Sequence, residues 1–125
     1  MTAPITALYA ALLAIFLVVL GGLVVRMRIK ERIAIGDGGN KAMLAAIRVH
    51  ANAVENLVIF APLVLIAQAL TISSPITIFA CALYFWSRAA HLVVYTLGIA
   101  GLRTLAFTGG FIAQAILALA LFDLL

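Results

Sequence analysis

Residues 7–25 form an apolar segment that carries no charged side chain. A helix of about 20 such residues crosses the hydrocarbon core of a bilayer, which is about 30 Å thick. The rest of the chain is similar, since 67% of its 125 residues are hydrophobic and only 10% are charged. Soluble domains are about 45–50% apolar and about 25% charged. The sequence therefore predicts an integral membrane protein with one domain over residues 1–125.

Three further apolar segments follow the first, and turn residues separate them. We predict a second helix from Lys41 to Leu70, a third from Ile76 to Leu97 and a fourth from Arg103 to Leu125. No basic residue precedes the first segment and no small-residue cleavage site follows it, which favours an uncleaved first helix over a signal peptide. The predicted fold class is an all-α bundle of four transmembrane helices.

The positive charges are concentrated at one end of the predicted bundle. Five of the eight Lys and Arg residues lie between residues 26 and 41. The net charge of +4 and a pI near 9.9 could indicate nucleic acid, but this placement is typical of the positive-inside rule, and we expect no nucleic-acid partner. Loops 26–41 and 98–103 are accordingly predicted to be cytoplasmic, with both termini on the opposite side.

Cysteine usage excludes two classes of site. Cys81 is the only cysteine, so the chain has neither a disulfide framework nor the spacing of a zinc site, and we expect no metal. A lone thiol in an apolar helix is typical of a small packing residue.

The second predicted helix carries a polar stripe inside apolar sequence. Arg48, Asn52 and Glu55 fall within roughly 60° of one another on a helix. Ionisable groups at membrane depth are costly, so such a stripe suggests a functional site. The alternative is that Arg48 and Glu55 satisfy each other at a cytoplasmic helix end. His50 lies nearly half a turn away and is interpreted as a packing or interfacial residue.

A second polar group lies on the third helix, where Arg88, His91 and Tyr95 share one face. Arg103 and Thr104 open the fourth helix at the same end of the bundle. Four arginines of this half of the bundle then face a single carboxylate, so the excess cations require anions. Lipid phosphates could supply them, but a small multi-anionic ligand from the cytoplasm fits better, because Arg suits bidentate carboxylate recognition.

At these residues the sequence resembles the MAPEG family, the membrane-associated proteins of eicosanoid and glutathione metabolism. The similar patterns are Arg48-x3-Asn52-x2-Glu55 and Arg88-x2-His91-x3-Tyr95, the latter followed by Arg103-Thr104. Arg26 and Arg28 stand where the family has basic residues at the end of its first helix. The glycine-rich loop 35–39 resembles a bacterial branch of the family, which implies a bacterial inner membrane.

The resemblance implies a homotrimer that binds glutathione, as co-substrate, between neighbouring subunits near the cytoplasmic face. It implies a transferase or peroxidase acting on small lipophilic molecules dissolved among the membrane lipids. The implied glutathione-binding residues are Arg48, Asn52 and Glu55, helped by Arg26, His91 and Tyr95, with Arg88 lining the same pocket. The implied catalytic residues, which hold the thiolate, are Arg103 and Thr104.

Two departures leave other functions open. Phe107 stands where the family's prostaglandin synthase has a tyrosine, and the spacing from Tyr95 to Arg103 is one residue shorter. A member that binds a thiol or a lipid anion without catalysis is therefore an alternative. A small four-helix exporter is another, although such exporters commonly use an acidic residue within the membrane, and the first predicted helix has none.

Overall fold

The computed structural model describes residues 5–122 and contains four α-helices joined by short connections. Helix α1 spans Ile5–Glu31, α2 spans Lys41–Ala69, α3 spans Pro75–Leu97 and α4 spans Ala100–Leu121. Each helix is long and apolar enough to cross a membrane. The predicted all-α fold with four transmembrane helices is confirmed.

The end of α1 lies later than the sequence predicted. Residues 26–31 were assigned to the basic loop, but they continue the helix to Glu31. Arg, Lys, Met and Glu are good helix formers, and a charge does not end a helix as a glycine does. The helix ends where Arg32 takes a left-handed conformation at φ 54°, so the connection is residues 32–40 rather than 26–41.

The start of α4 lies earlier than predicted, at Ala100 instead of Arg103. Gly98 ends α3 in a left-handed conformation at φ 75°, and Ile99 is already the N-cap of α4. Glycine adopts this conformation without steric cost, so two residues connect the helices, where the predicted helix bounds left five (98–102). Arg103 and Thr104 therefore lie in the first turns of α4.

The basic connection folds back on the end of α1 through Arg28. Its Nη1 donates hydrogen bonds to the carbonyl oxygens of Ile33, Ala34 and Gly36 at 3.3, 3.4 and 3.0 Å. At the other end of the connection, the Asn40 side chain accepts a hydrogen bond from the backbone N–H of Met43 and caps α2. The Arg28 guanidinium is thus held by hydrogen bonds within the connection between α1 and α2, outside the predicted site.

The core lies between α3 and its three neighbours. The rings of Phe60 and Tyr84 stack at 3.9 Å between centroids and with 2° between planes. Leu117 and Cys81 are fully buried beside them, which confirms the packing role predicted for the cysteine. Pro75 starts α3 as predicted from its position before the third apolar segment.

Helices α3 and α4 approach closely at a pair of glycines. A Cβ on Gly109 would lie 2.5 Å from the Ser87 hydroxyl oxygen, and a Cβ on Gly110 would overlap the Arg88 guanidinium. Small residues let membrane helices pack backbone to backbone, and here they also leave room for a buried cation. Position 110 therefore requires glycine, because a side chain there would overlap the Arg88 guanidinium.

We expect Gly110→Ala to lower the free energy of unfolding by about 1–3 kcal/mol, because the added methyl group overpacks the site of Arg88. The measurement is thermal or denaturant unfolding of the purified protein in mild detergent. Gly101→Ala is the matched control, since it lies in the same helix and its Cβ would meet open space. That control should be neutral or stabilising by up to about 1 kcal/mol. Equal stability of the two variants would contradict the packing role of Gly110.

Candidate functional site

Arg88 is the most buried charged side chain of the predicted site, at 3% exposure. Its Nη1 donates a 2.6 Å hydrogen bond to Asn52 Oδ1 on α2. Its Nη2 donates to the backbone carbonyls of Ala106 and Phe107 on α4, both at 3.3 Å. Among the residues that the structure describes, it has no carboxylate partner. One guanidinium thus links three helices through neutral oxygen atoms.

The surroundings of Arg88 are aromatic rather than aqueous. Its Cζ lies 5.6 Å from the ring centroid of Tyr84 and 5.9 Å from that of Phe107. The cavity beside it has a volume of only about 10 Å³, which is about the room of one water molecule. Arg88 was predicted to line the same pocket as the other polar residues, but in the chain it lies apart from the large cavity described below.

A chain of amides extends the contacts of Arg88 toward α4. Asn56 Nδ2 donates to the backbone oxygen of Asn52 at 2.8 Å, and Gln114 Nε2 donates to Asn56 Oδ1 at 3.1 Å. Both side chains are 5% exposed. The sequence predicted no role for Asn56 or Gln114, because the predicted site was built around charged residues. The available signal was an amide four residues after Asn52 and a second one in the otherwise apolar second half of α4.

Five of the predicted site residues lie exposed on the surface of the chain: Arg26 on α1, Arg48 and Glu55 on α2, and Arg103 and Thr104 on α4. In the described range 5–122, the one ion pair is Lys30–Glu31 at 3.8 Å. Arg48 and Glu55 therefore do not form an ion pair with each other in the described part of the chain. The Thr104 hydroxyl donates a long, 3.4 Å hydrogen bond to the Ala100 carbonyl.

The polar residues at the end of α3 and the start of α4 do come together. His91 is buried at 5% exposure, and its ring centroid lies 5.5 Å from that of Tyr95. The Arg103 Cζ lies 5.2 Å from the Tyr95 ring centroid, within the range of a cation–π contact. The tyrosine ring thus restrains a guanidinium that is otherwise exposed.

A cavity of about 650 Å³ opens between the ends of α1, α2 and α3. Its cationic residues are Arg26, Lys30 and Lys41, and Tyr95 lies in its wall. From the sequence, Lys30 and Lys41 were predicted only to be loop residues whose positive charge determines the membrane topology. The remaining lining residues are apolar or small: Leu20, Leu23, Met27, Ala42, Ala45, Ala46, Val49, Leu92, Thr96 and Gly98.

Within one chain, the predicted site residues therefore occupy three places. Asn52 and Arg88 belong to the buried network, whereas Arg26 and Tyr95 line the large cavity. His91 is buried beside the Tyr95 ring. The other predicted residues face outward, namely Arg48, Glu55, Arg103 and Thr104. A single pocket that gathers all of them is not formed by the described part of one chain, and their binding roles stay predictions.

Comparison with known proteins agrees with this architecture. The chain is 44% identical over 64 residues to the inner membrane protein YecN of Escherichia coli strain K12, and equally so to YecN of Escherichia coli O6:H1. The alignment covers 51% of this chain and 49% of each relative, so only about half the length of those relatives is matched. No solved structure gives a significant match.

The match to the family extends over far more of the chain than the match to these relatives. The MAPEG family model covers residues 6–122, which include all four transmembrane helices and every polar residue discussed above. The four membrane-spanning helices and the inner-membrane relatives agree with the predicted membrane location. The chain belongs to the MAPEG family.

Proposed function

We propose that the chain is a glutathione-dependent membrane transferase that acts on small lipophilic electrophiles. Membership of the MAPEG family supports this class of activity. The observation that carries the proposal is the exposure of Arg48, Glu55 and Arg103 on membrane-spanning helices. Outward-facing charges at such positions are costly unless a ligand or another subunit covers them.

Among these exposed charges, Glu55 has the greatest need for a partner. It lies at the middle of α2, far from either helix end, and its side chain has no hydrogen-bond or ion-pair partner among residues 5–122. A carboxylate at that depth needs a cation. Arg48 lies two turns away on the same face and needs an anion. Glutathione carries two carboxylates and one ammonium group, so it matches a face that presents arginines together with a single acid.

A second copy of the chain would complete this face. The described residues leave Arg48 and Glu55 uncovered on α2, and Arg103 and Thr104 uncovered on α4. In a homotrimer, the exposed face of one subunit would close against its neighbour and exclude lipid from the bound tripeptide. Burial of this kind strengthens the charge-assisted hydrogen bonds that fix the ligand.

The proposed chemistry is attack by the glutathione thiolate. A nearby cation favours the thiolate, which is the nucleophilic form of the thiol. The contact with Tyr95 holds the Arg103 guanidinium in place, so it stabilises the sulfur charge without reorganising. The Thr104 hydroxyl, held only by a 3.4 Å bond, can turn to donate to the same sulfur. The sulfur then forms a bond to the electrophilic carbon, and the leaving group departs with its electron pair.

A hydroperoxide is the other substrate class for the same thiolate. Two glutathione molecules would be oxidised to the disulfide while the hydroperoxide is reduced to an alcohol and water. Either second substrate would reach the sulfur laterally from the bilayer, since the exposed face of α4 is apolar around Arg103, with Leu102 and Leu105 both exposed.

One observation favours thiol binding without catalysis as a second candidate. Phe107 follows Arg103 by one turn, and its ring packs edge-on against Phe111 at 4.8 Å. It supplies no hydroxyl where the family's prostaglandin synthase has one. Binding of glutathione without turnover on a panel of electrophiles would identify this second function.

Glutathione binding is expected to depend on Glu55. Removal of one partner of a desolvated charge pair costs several kcal/mol, so Glu55→Gln should weaken the affinity for glutathione at least about tenfold. The measurement is isothermal titration of the purified oligomer with reduced glutathione. Glu31→Gln is the matched control, because Glu31 pairs with Lys30 in the chain and should leave the affinity unchanged. Wild-type affinity in the Glu55 variant would show that the ammonium group binds elsewhere.

Thiolate formation is expected to depend on Arg103. Arg103→Ala should abolish the ultraviolet thiolate absorbance of bound glutathione and lower turnover of an aryl chloride about 10²–10³-fold, as loss of one fixed electrostatic donor does. Arg103→Lys should retain part of the absorbance, because it keeps the charge. Arg32→Ala removes an exposed cation from the connecting loop and serves as the control. An unchanged absorbance in Arg103→Ala would show that Arg103 does not stabilise the thiolate.

A further inference from the structure

The large cavity lies on a different face of α2 from the proposed glutathione site. Its α2 lining is Ala42, Ala45, Ala46 and Val49, which share one helical face. The stripe of Arg48, Asn52 and Glu55 is centred about 100° away around the same helix. The cavity is also formed by α1, α2 and α3 of a single chain. Arg26 and Tyr95, which the family resemblance places among the glutathione-binding residues, also line this cavity. The glutathione site argued above from Arg48, Glu55 and Arg103 leaves the rest of the cavity unexplained.

The mouth of the cavity is built for an anion. Arg26, Lys30 and Lys41 line it, and none of its lining residues is acidic. Glu31 lies 3.8 Å from Lys30 and offsets part of one charge, which leaves a net positive rim. Lys41 and Ala42 are also the first two residues of α2. The positive end of the dipole of α2 therefore lies beside the mouth of the cavity.

The interior of the cavity is built for an apolar group. Leu20 and Val49, at 2% and 3% exposure, are the two buried residues of its lining. Leu23, Met27 and Leu92 continue the apolar wall, and the alanines of α2 leave the space unfilled. A phosphate ion would occupy only the rim of a volume of about 650 Å³. The shape and chemistry match an anionic head joined to an apolar body.

The membrane itself contains molecules of this kind at this level. The cavity lies at the end of the bundle where the basic residues concentrate, which the positive-inside rule predicts to be cytoplasmic. Cytoplasmic leaflets are rich in anionic lipids, and each nearby Lys or Arg contributes about 1 kcal/mol of attraction. From the charge complementarity and the apolar depth, we propose that this cavity binds an anionic phospholipid, with its phosphate among Arg26, Lys30 and Lys41 and its glycerol and first acyl carbons against Leu20 and Leu23.

The test uses soluble, short-chain lipids and the full-length protein in a neutral detergent. The readout is the unfolding temperature as a function of lipid concentration. Dihexanoyl phosphatidylglycerol should raise this temperature saturably. Dihexanoyl phosphatidylcholine, which has a zwitterionic head, and glycerol 3-phosphate, which has no acyl chain, should each require at least about tenfold more to give the same effect.

Two variants locate the effect at the cavity. Arg26→Gln combined with Lys41→Gln should weaken the phosphatidylglycerol response at least about tenfold, since two cations are lost. Arg32→Gln, an exposed cation outside the cavity, should change it less than about twofold. Ala45→Leu fills the apolar wall and should weaken the response to the lipid while leaving that to glycerol 3-phosphate unchanged.

Several outcomes would overturn the proposal. Equal responses to phosphatidylglycerol and phosphatidylcholine would show general solvation by lipid, and an equal response to glycerol 3-phosphate would show a plain anion site. Competition between glutathione and phosphatidylglycerol would show that the cavity is the glutathione site. The Glu55→Gln variant should keep its full phosphatidylglycerol response, so failure of the glutathione proposal and failure of the lipid proposal are distinguishable.

Discussion

The buried guanidinium of Arg88 is the interaction on which the architecture depends. Placing an arginine at the centre of a membrane helix costs about 3 kcal/mol or more, so its contacts must be made within the protein. The chain supplies one amide oxygen from α2 and two carbonyl oxygens from α4. Because those oxygens belong to different helices, the angle and depth at which α2, α3 and α4 meet are fixed together. Gly110 follows from the same requirement, since a larger residue would occupy the place of the guanidinium.

This use of Arg88 explains why the other charges face outward. Asn52 is committed to Arg88, and the Asn56–Gln114 pair fills the remaining space between α2 and α4 with neutral hydrogen bonds. The cavity beside Arg88 has a volume of only about 10 Å³, so a carboxylate turned inward would find no room beside the guanidinium and would be left in a poorly solvated interior. Glu55 therefore faces away from the core. The energetic need of Glu55 for a partner is therefore not met within the described part of one chain.

Much of the fold could be predicted from the sequence, because hydrophobic length and the positions of turn residues determine where membrane helices lie. The four helices, the start at Pro75 and the packing role of Cys81 follow from these patterns. Two things do not. The extension of α1 through residues 26–31 could not be predicted from hydrophobicity, because charged residues end a hydrophobic segment without ending a helix. The separation of Arg88 from Arg48 could not be predicted either, because helical periodicity indicates the helix face on which a side chain lies but not its distance from side chains on the neighbouring helix.

The two faces of α2 have opposite chemical characters, and this bears on how the protein could hold two different anions. The alanine face lies against α1 and α3 and leaves a deep apolar space with a cationic mouth. The Arg48–Glu55 face presents both signs of charge and suits a ligand that carries both. An amphiphile with one acidic head gains little from Glu55, because like charges repel. A tripeptide gains little from the apolar depth below Arg26, because its polar backbone would lose water there without finding hydrogen-bond partners. The two proposed ligands would therefore favour different faces of α2, because each would lose more free energy at the other face than it would gain there.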